Sequence, residues 1–228
     1  MMNLHLITLA LALVFFVSRD ENHPPVVKIM QPKTGSSYTP NSQVRYTISV
    51  SDKEDGDSKY QEINASEVLL QVKYISSAST AQQESLPVHE GLQSILQSNC
   101  LNCHAFNAPL LGPSFVDINK KYRSNASAAN TLVKRIMEGS TGIWGSGVMP
   151  SHPELQSATA ASMVEWIMKN AGDTNISYYK GTEGAVRLVA PSGAGKGAFI
   201  LSASYRDHGS ANSGKPLMGT DNILLYLQ

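Results

Sequence analysis

Cys100-Leu101-Asn102-Cys103-His104 is the stretch on which the reading of this chain turns. Two thiols three residues apart on a helical turn can each add to one vinyl group of a haem, and the adjacent histidine then faces the iron as proximal ligand. That spacing is the attachment pattern for c-type haem. A redox dithiol of thioredoxin type also uses C-x-x-C, but it expects a βαβ context, and the flanks here follow a helical pattern. A zinc site needs two more ligands at close spacing, and the sequence offers no such pair. These are the only two cysteines, so a disulfide-stapled scaffold is excluded.

Outward from the motif, residues 87–172 read as helices. Leu92, Ile95 and Leu96 share one face at i, i+3, i+4, as do Leu132, Val133, Ile136 and Met137, and then Met163, Val164 and Ile167. Gly139 and Gly172 stand where helix-ending glycines belong. The texture changes on either side. Val26–Met30, Gln43–Val50 and Val68–Tyr74 are strand-like and separated by turn material such as Pro32-Lys33-Thr34-Gly35, and Ala185–Val189, Ala198–Tyr205 and Asn222–Leu227 repeat that texture later. The polar, small-residue run that begins at Ser76 reads as a linker, assigned to 77–87. The expected fold is multidomain α and β: an all-α haem-binding domain at 88–172, flanked by β-rich segments at 23–76 and 178–228.

The 228 residues carry 18 Lys+Arg and 18 Asp+Glu, and this neutral balance argues against nucleic acid or an anionic membrane as partner. No apolar run reaches the ~20 residues of a membrane-spanning helix. Leu6–Val17 (LITLALALVFFV) is free of charge and has the length of a signal-peptide apolar region. The expectation is an export signal at 1–18 and a periplasmic or otherwise exported protein. The leader lacks Lys and Arg and no A-x-A site follows, so an uncleaved anchor or a buried element is the alternative.

A haem iron needs a sixth ligand or keeps an open site, and methionine is the usual partner of histidine in electron-carrying cytochromes c. Of eight methionines, Met149 stands apart. It lies in Gly145-Ser146-Gly147-Val148-Met149-Pro150, outside any helical periodicity. The glycines allow close approach to a flat ligand, and Pro150 holds Met149 in extended backbone. Met137, Met163 and Met168 read as core packing.

With these residues in view, positions 88–172 resemble a small bacterial mono-haem class I cytochrome c. The match runs through the attachment motif, Gly112-Pro113-Ser114-Phe115, Arg135-Ile136 with Gly139-Ser140, Gly142-Ile143-Trp144-Gly145, Met149-Pro150 and Trp166. The resemblance implies one covalent haem c, with His104 and Met149 as iron ligands. It also implies that the Pro113 carbonyl, nine residues after His104, accepts the imidazole Nδ1–H, and that Arg135 and Trp144 hold the haem propionates. The family often has asparagine three residues after the methionine; here it is His152, which is also near enough in sequence to compete for iron. Against these roles, Arg135 could be a solvated helix face, and Trp144 could simply pack against the ring. Residues 23–76 resemble an Ig-like or PKD-type module through Pro24-Pro25-Val26-Val27, Pro32 to Gly35, and Ile48-Ser49-Val50-Ser51-Asp52 running into Glu54-Asp55-Gly56. With about 54 residues that module is short for a sandwich, and the C-terminal segment is free to complete its β layer.

Two further signals carry less. Gly193-Ala194-Gly195-Lys196-Gly197 lacks the first glycine and the Ser/Thr of a phosphate loop. The Asp52–Asp57 turn could hold Ca²⁺ through oxygen ligands, although a solvated turn at a strand end is the simpler reading. The expected function is single-electron transfer, not catalysis, between a periplasmic dehydrogenase and a respiratory acceptor. A haem enzyme of peroxidase type or a gas sensor would need an open distal position with polar groups beside it, and no motif for distal acid–base chemistry is present. A glycan- or protein-binding module that merely carries a haem is the third class.

Overall fold

The computed structural model describes residues 21–82, 84–125, 127–191, 193–194, 196–210 and 214–228. The Leu6–Val17 run, expected as an export signal, lies outside the described residues. Among the described residues no helix is long and apolar enough to cross a membrane.

Strand β3 (Gln43–Asp52) shows how the sequence builds the first sheet. Val44, Tyr46, Ile48 and Val50 alternate with more exposed residues and all point into the core. β3 pairs antiparallel with β1 (Val26–Gln31), with the two-residue β4 (Gly56–Asp57) and with β9 (Glu183–Arg187), where Val44 lies opposite Val186. A second sheet runs in the order β2 (Ser37–Tyr38), β11 (Met218–Leu227), β10 (Ala198–Arg206), β5 (Leu69–Ile75), β8 (Ile176–Lys180). Only the β2–β11 pair is parallel. The two sheets close over one apolar cluster that includes Val27, Ile48, Val50, Leu70, Val72, Phe199, Leu201 and Leu225.

The β segments 23–76 and 178–228, expected to flank the helices with the C-terminal one free to complete the β layer, share both sheets. The physical reason is backbone pairing. The N-terminal segment supplies β3 and β5, whose neighbours β9, β8 and β10 come from beyond the helices. Residues 76–175 leave and return between adjacent strands of one sheet, β5 and β8, with Lys73 opposite Ile176. The stretch expected as a linker at 77–87 holds a one-turn helix, α1 (Ala78–Ala81), capped by the Ser77 side chain. Ala81 and Leu86 bury their apolar surface against Ala198 and Ile200 of β10, and this packing orders an otherwise polar segment.

The inserted residues form α2 (Glu90–Leu96), a 3₁₀ turn (Asn99–Asn102), α3 (Phe115–Tyr122), α4 (Ala128–Glu138), the hairpin β6 (Ser140–Thr141) and β7 (Val148–Met149), and α5 (Ser157–Lys169). Their core joins Leu92, Ile95, Phe106, Phe115, Met163 and Trp166 to Leu69 and Tyr178 on the outer face of the second sheet. The Trp166 ring stands edge-on to Tyr178 at 5.4 Å and to Phe115 at 5.8 Å. Polar contacts fix the docking further. Gln93 donates to the Ser204 hydroxyl at 3.1 Å, and Gln97 and Arg206 exchange two hydrogen bonds of 2.8 and 2.7 Å.

Asn119 of α3 donates to the carbonyls of Ile167 and Met168 at the end of α5, at 2.9 and 2.7 Å. Gly172, placed by the sequence at a helix end, is required there because any β-carbon would collide with the Asn119 side chain. We expect Gly172→Ala to destabilise the protein by about 1–3 kcal/mol through this overpacking, measured by denaturant unfolding followed at 222 nm.

Candidate functional site

The 3₁₀ turn after α2 determines where the cysteines and the histidine sit. The amides of Cys103 and His104 both donate to the Cys100 carbonyl, at 3.2 and 2.9 Å, so all three residues belong to one tight turn. The amides of Leu111 and Gly112 fold back onto the Cys103 carbonyl at 3.1 and 2.8 Å, closing the loop over the same turn. Both cysteines are free and half-buried. Burial pushes the Cys100 thiol up to about 11, so at neutral pH it is protonated and lacks the acidity of a redox dithiol.

His104 is oriented by three contacts. Its Nδ1 lies 2.6 Å from the Pro113 carbonyl oxygen, which makes Nδ1 the protonated nitrogen and leaves the Nε2 lone pair free. Its ring stacks on Phe115 at 5.6 Å with an interplanar angle of 23°. Gly112 packs against the imidazole so closely that a β-carbon there would come within 2.7 Å of Cε1.

Cys100, Cys103, His104, Pro113, Arg135, Trp144 and Met149 all line one cavity of about 630 Å³, within the usual range for cofactor sites. The seven residues singled out in the sequence are thus brought together from four separate elements. Met149, read as a loop residue, lies in β7, where it pairs with Ser140 of β6. The hairpin holds its backbone to the end of α4, and the adjacent His152 amide donates to the Ile136 carbonyl at 3.1 Å. His152 also lines the cavity, with Nδ1 2.8 Å from a Glu154 carboxylate oxygen.

The cavity's apolar lining has an unusual feature. Leu132 and Ile136 on α4 face it and are only partly buried, and Leu111 and Val148 at its mouth are 77% and 71% exposed. Apolar surface gathered around a concavity marks a ligand or partner site.

On the polar rim, Arg135 donates to the Tyr122 hydroxyl at 2.9 Å. The Lys121 ammonium lies 4.3 Å from the centre of the Trp144 ring and donates to the Ile143 carbonyl at 3.4 Å. Tyr122 and Trp144 meet edge-on at 6.5 Å. Two cations, a hydroxyl and an indole therefore form one cluster suited to an anionic group. Lys121 and Tyr122 were not foreseen from sequence. The available signal was the period Phe115, Ile118, Tyr122, which marks α3 and puts Tyr122 at its end.

No family model matches the chain. It is similar to cytochrome c-551 of Allochromatium vinosum, at 36% identity over 72 residues that cover 32% of this chain and 77% of that protein. It is similar to cytochrome c-551 of Azotobacter vinelandii, at 39% identity over 69 residues covering 30% and 83%. The crystal structure of wild-type Nitrosomonas europaea cytochrome c552 superposes on 34% of this chain and 95% of its own, with 32% identity and a TM-score of 0.33.

Because the Gly112 position borders the imidazole, Gly112→Ala should displace the His104 ring from the Pro113 carbonyl. The expected result is faster solvent exchange of the Nδ1 proton in ¹H–¹⁵N spectra, with a loss of about 1–3 kcal/mol in stability.

Proposed function

This chain belongs, through about a third of its length, to the small class I mono-haem cytochromes c, and from that membership we propose that it carries single electrons through one covalent haem c. The observation that carries the reading is the His104 ring, held by the Pro113 carbonyl in the same cavity as both cysteines and Met149. Bound haem supplies a one-electron iron couple.

The protein's own residues supply attachment, orientation and exclusion of solvent. Cys100 and Cys103 would hold the haem covalently, as thioethers to its two vinyl groups. His104 offers Nε2 to the iron. Its Nδ1 hydrogen bond fixes the ring and raises the basicity of the coordinating nitrogen. Met149 would supply a thioether to the iron, with its backbone restrained by the β6–β7 pairing. Arg135 and Trp144 would hold the propionates, supported by Tyr122 and Lys121 on the same rim. Leu132, Ile136 and Val148 give the ring an apolar surrounding. With His104 and Met149 both restrained by the fold, the site would keep the same ligands through a one-electron change, as a carrier requires.

The reading extends to the rest of the chain. The haem unit spans 88–172, and the β segments form an Ig-like or PKD-type unit, supported by the two sheets closing over one core. Export is supported by the charge-free run Leu6–Val17. The donor is a periplasmic dehydrogenase and the acceptor a respiratory one.

Three measurements test the proposal. The denatured protein should keep its haem colour in SDS, because the link is covalent; a band that loses colour refutes attachment. The ferric protein should show the weak near-infrared sulfur-to-iron band, and the reduced protein should not bind carbon monoxide readily at neutral pH. Met149→Ala should abolish that band and open the iron to carbon monoxide. Rapid, tight binding by the unmodified protein would instead favour an enzyme or gas sensor.

A further inference from the structure

Outside the haem cavity, the chain just after β10 carries an imidazole with a carboxylate at each ring nitrogen. His208 stands two residues beyond the end of β10. Its Nδ1 lies 2.9 Å from Asp55 Oδ2, and its Nε2 lies 3.0 Å from Glu67 Oε2. Asp55 belongs to the turn after β3, in the first sheet. Glu67 ends a 3₁₀ turn (Ala65–Glu67) that leads into β5, in the second. The two carboxylate side chains are only 13% and 10% exposed, whereas the His208 ring is half-exposed. One ring thus joins three segments from both sheets.

An ionised carboxylate only accepts, so an imidazole between two of them satisfies both only when both nitrogens carry hydrogen, that is as the cation. A neutral ring keeps one N–H and turns a lone pair on the other carboxylate. The two acceptors are unequally supplied. Asp55 Oδ2 also accepts from the Tyr205 hydroxyl at 2.7 Å and from the His208 backbone amide at 3.1 Å. Glu67 Oε1 accepts from the Asn64 side-chain amide at 2.9 Å. Its buried Oε2 meets no donor in hydrogen-bond geometry among the described residues, and the His208 ring is its ionic partner. A buried charge that loses its countercharge is costly.

The charges around the ring are of one sign. Asp207, fully buried beside it, accepts the amides of Gly209 and Leu217. Asp52 backs Asp55 and accepts its amide at 2.7 Å. The Tyr205 ring stands edge-on to the imidazole at 6.5 Å. Neighbouring cations are engaged elsewhere: Arg206 turns its guanidinium to Gln97 and Ser94, and His23 pairs with Glu54 at 2.8 Å. Burial by itself would lower the His208 imidazole, but the Asp55 hydrogen bond and the Glu67, Asp55 and Asp207 charges outweigh it and hold the ring above its ordinary range. Burial by itself would raise the Asp55 carboxyl, but the Tyr205 and His208 donors outweigh it and hold it below its usual range.

We propose that His208 is a pH-operated clasp: as the imidazolium it locks the turn after β3 and the 3₁₀ turn before β5 onto the end of β10, and on losing its proton it releases one of them. Asn64 and Glu67 line a polar cavity of about 310 Å³ together with Asn99 and Asn102 of the cysteine turn, so the clasp borders the seam between the β unit and the helical unit. A group whose folded pKa is raised adds stability that is fully present below its unfolded value, about 6.5 for histidine, and is lost as pH rises through the folded value. The lowered Asp55 carboxyl adds stability that is lost as pH falls through its own folded value, which bounds the locked state on the acid side.

The test compares the full-length protein with His208→Gln, which cannot carry the charge, between pH 6 and 9.5. At pH 6 the variant should melt roughly 2–4 °C lower, and the gap should close as pH rises to 9.5. At a fixed pH of 6, the amides of residues 64–68 should exchange about fivefold faster in the variant. In the unmodified protein the His208 ring, followed by ¹H–¹³C NMR, should titrate above about 6.5. Glu67→Gln keeps an acceptor for Asn64 and removes one facing charge, so it should lower that midpoint. This second variant decides the matter if His208→Gln fails to fold. A Tm gap that is absent, or constant from pH 6 to 9.5, overturns the clasp. A His208 midpoint at or below the ordinary value does the same, as does a midpoint that Glu67→Gln leaves in place.

Discussion

The structure depends on one strand that is buried on both faces. In β10, Phe199, Leu201, Ala203 and Tyr205 point into the space between the sheets, while Ala198, Ile200, Ser202 and Ser204 point the other way, toward α1 and the helical unit. Neighbouring β5 behaves alike, with Leu70 and Val72 in the sandwich core and Leu69 in the helical core. A strand with two apolar faces cannot leave either face to water without losing burial worth about 25 cal/mol per Å². The second sheet therefore needs both the first sheet and the inserted helices, which makes the helical unit a structural layer of the molecule as well as the holder of the candidate site.

That dependence explains what could be read from sequence. The attachment motif was legible because its chemistry is local, two thiols and a histidine in five residues; Pro113 entered through the resemblance. Met149 was legible through its glycine and proline neighbours, whereas Trp144 entered only through the resemblance. The strands β3, β5 and β10 were each found by composition. Their partners were not, because antiparallel pairing across residues 76–175 leaves no local trace. The two-faced burial of β10 also hides the alternation that would have shown which face met which layer.

The misread details follow the same logic. The stretch 77–87 is polar enough to pass for a linker, yet two apolar side chains, Ala81 and Leu86, suffice to dock it. Gly172 stands at a helix end as expected, but the cause is the close approach of Asn119 and not a left-handed backbone. Arg135 of α4 was singled out beside the apolar face of that helix, but that it would meet Tyr122 depended on where α3 ends.

Insertion between paired strands has an energetic consequence. β8 can pair with β5 only when the ends of residues 76–175 lie side by side, as Lys73 and Ile176 do. Closing a flexible loop of that size costs ~4 kcal/mol in chain entropy. A folded helical unit brings its own ends together and removes most of that cost. Tyr178 of β8 then packs against Phe106 at 5.4 Å and against Trp166, inside the helical core. The pairing of β8, the seating of Trp166 and the loop that presents His104 are thus linked through the shared ring cluster of Phe106, Phe115 and Trp166. A cofactor that completes the helical core favours closure of the second sheet by the same contacts, because the groups it orders on one side are those that anchor the edge strand on the other.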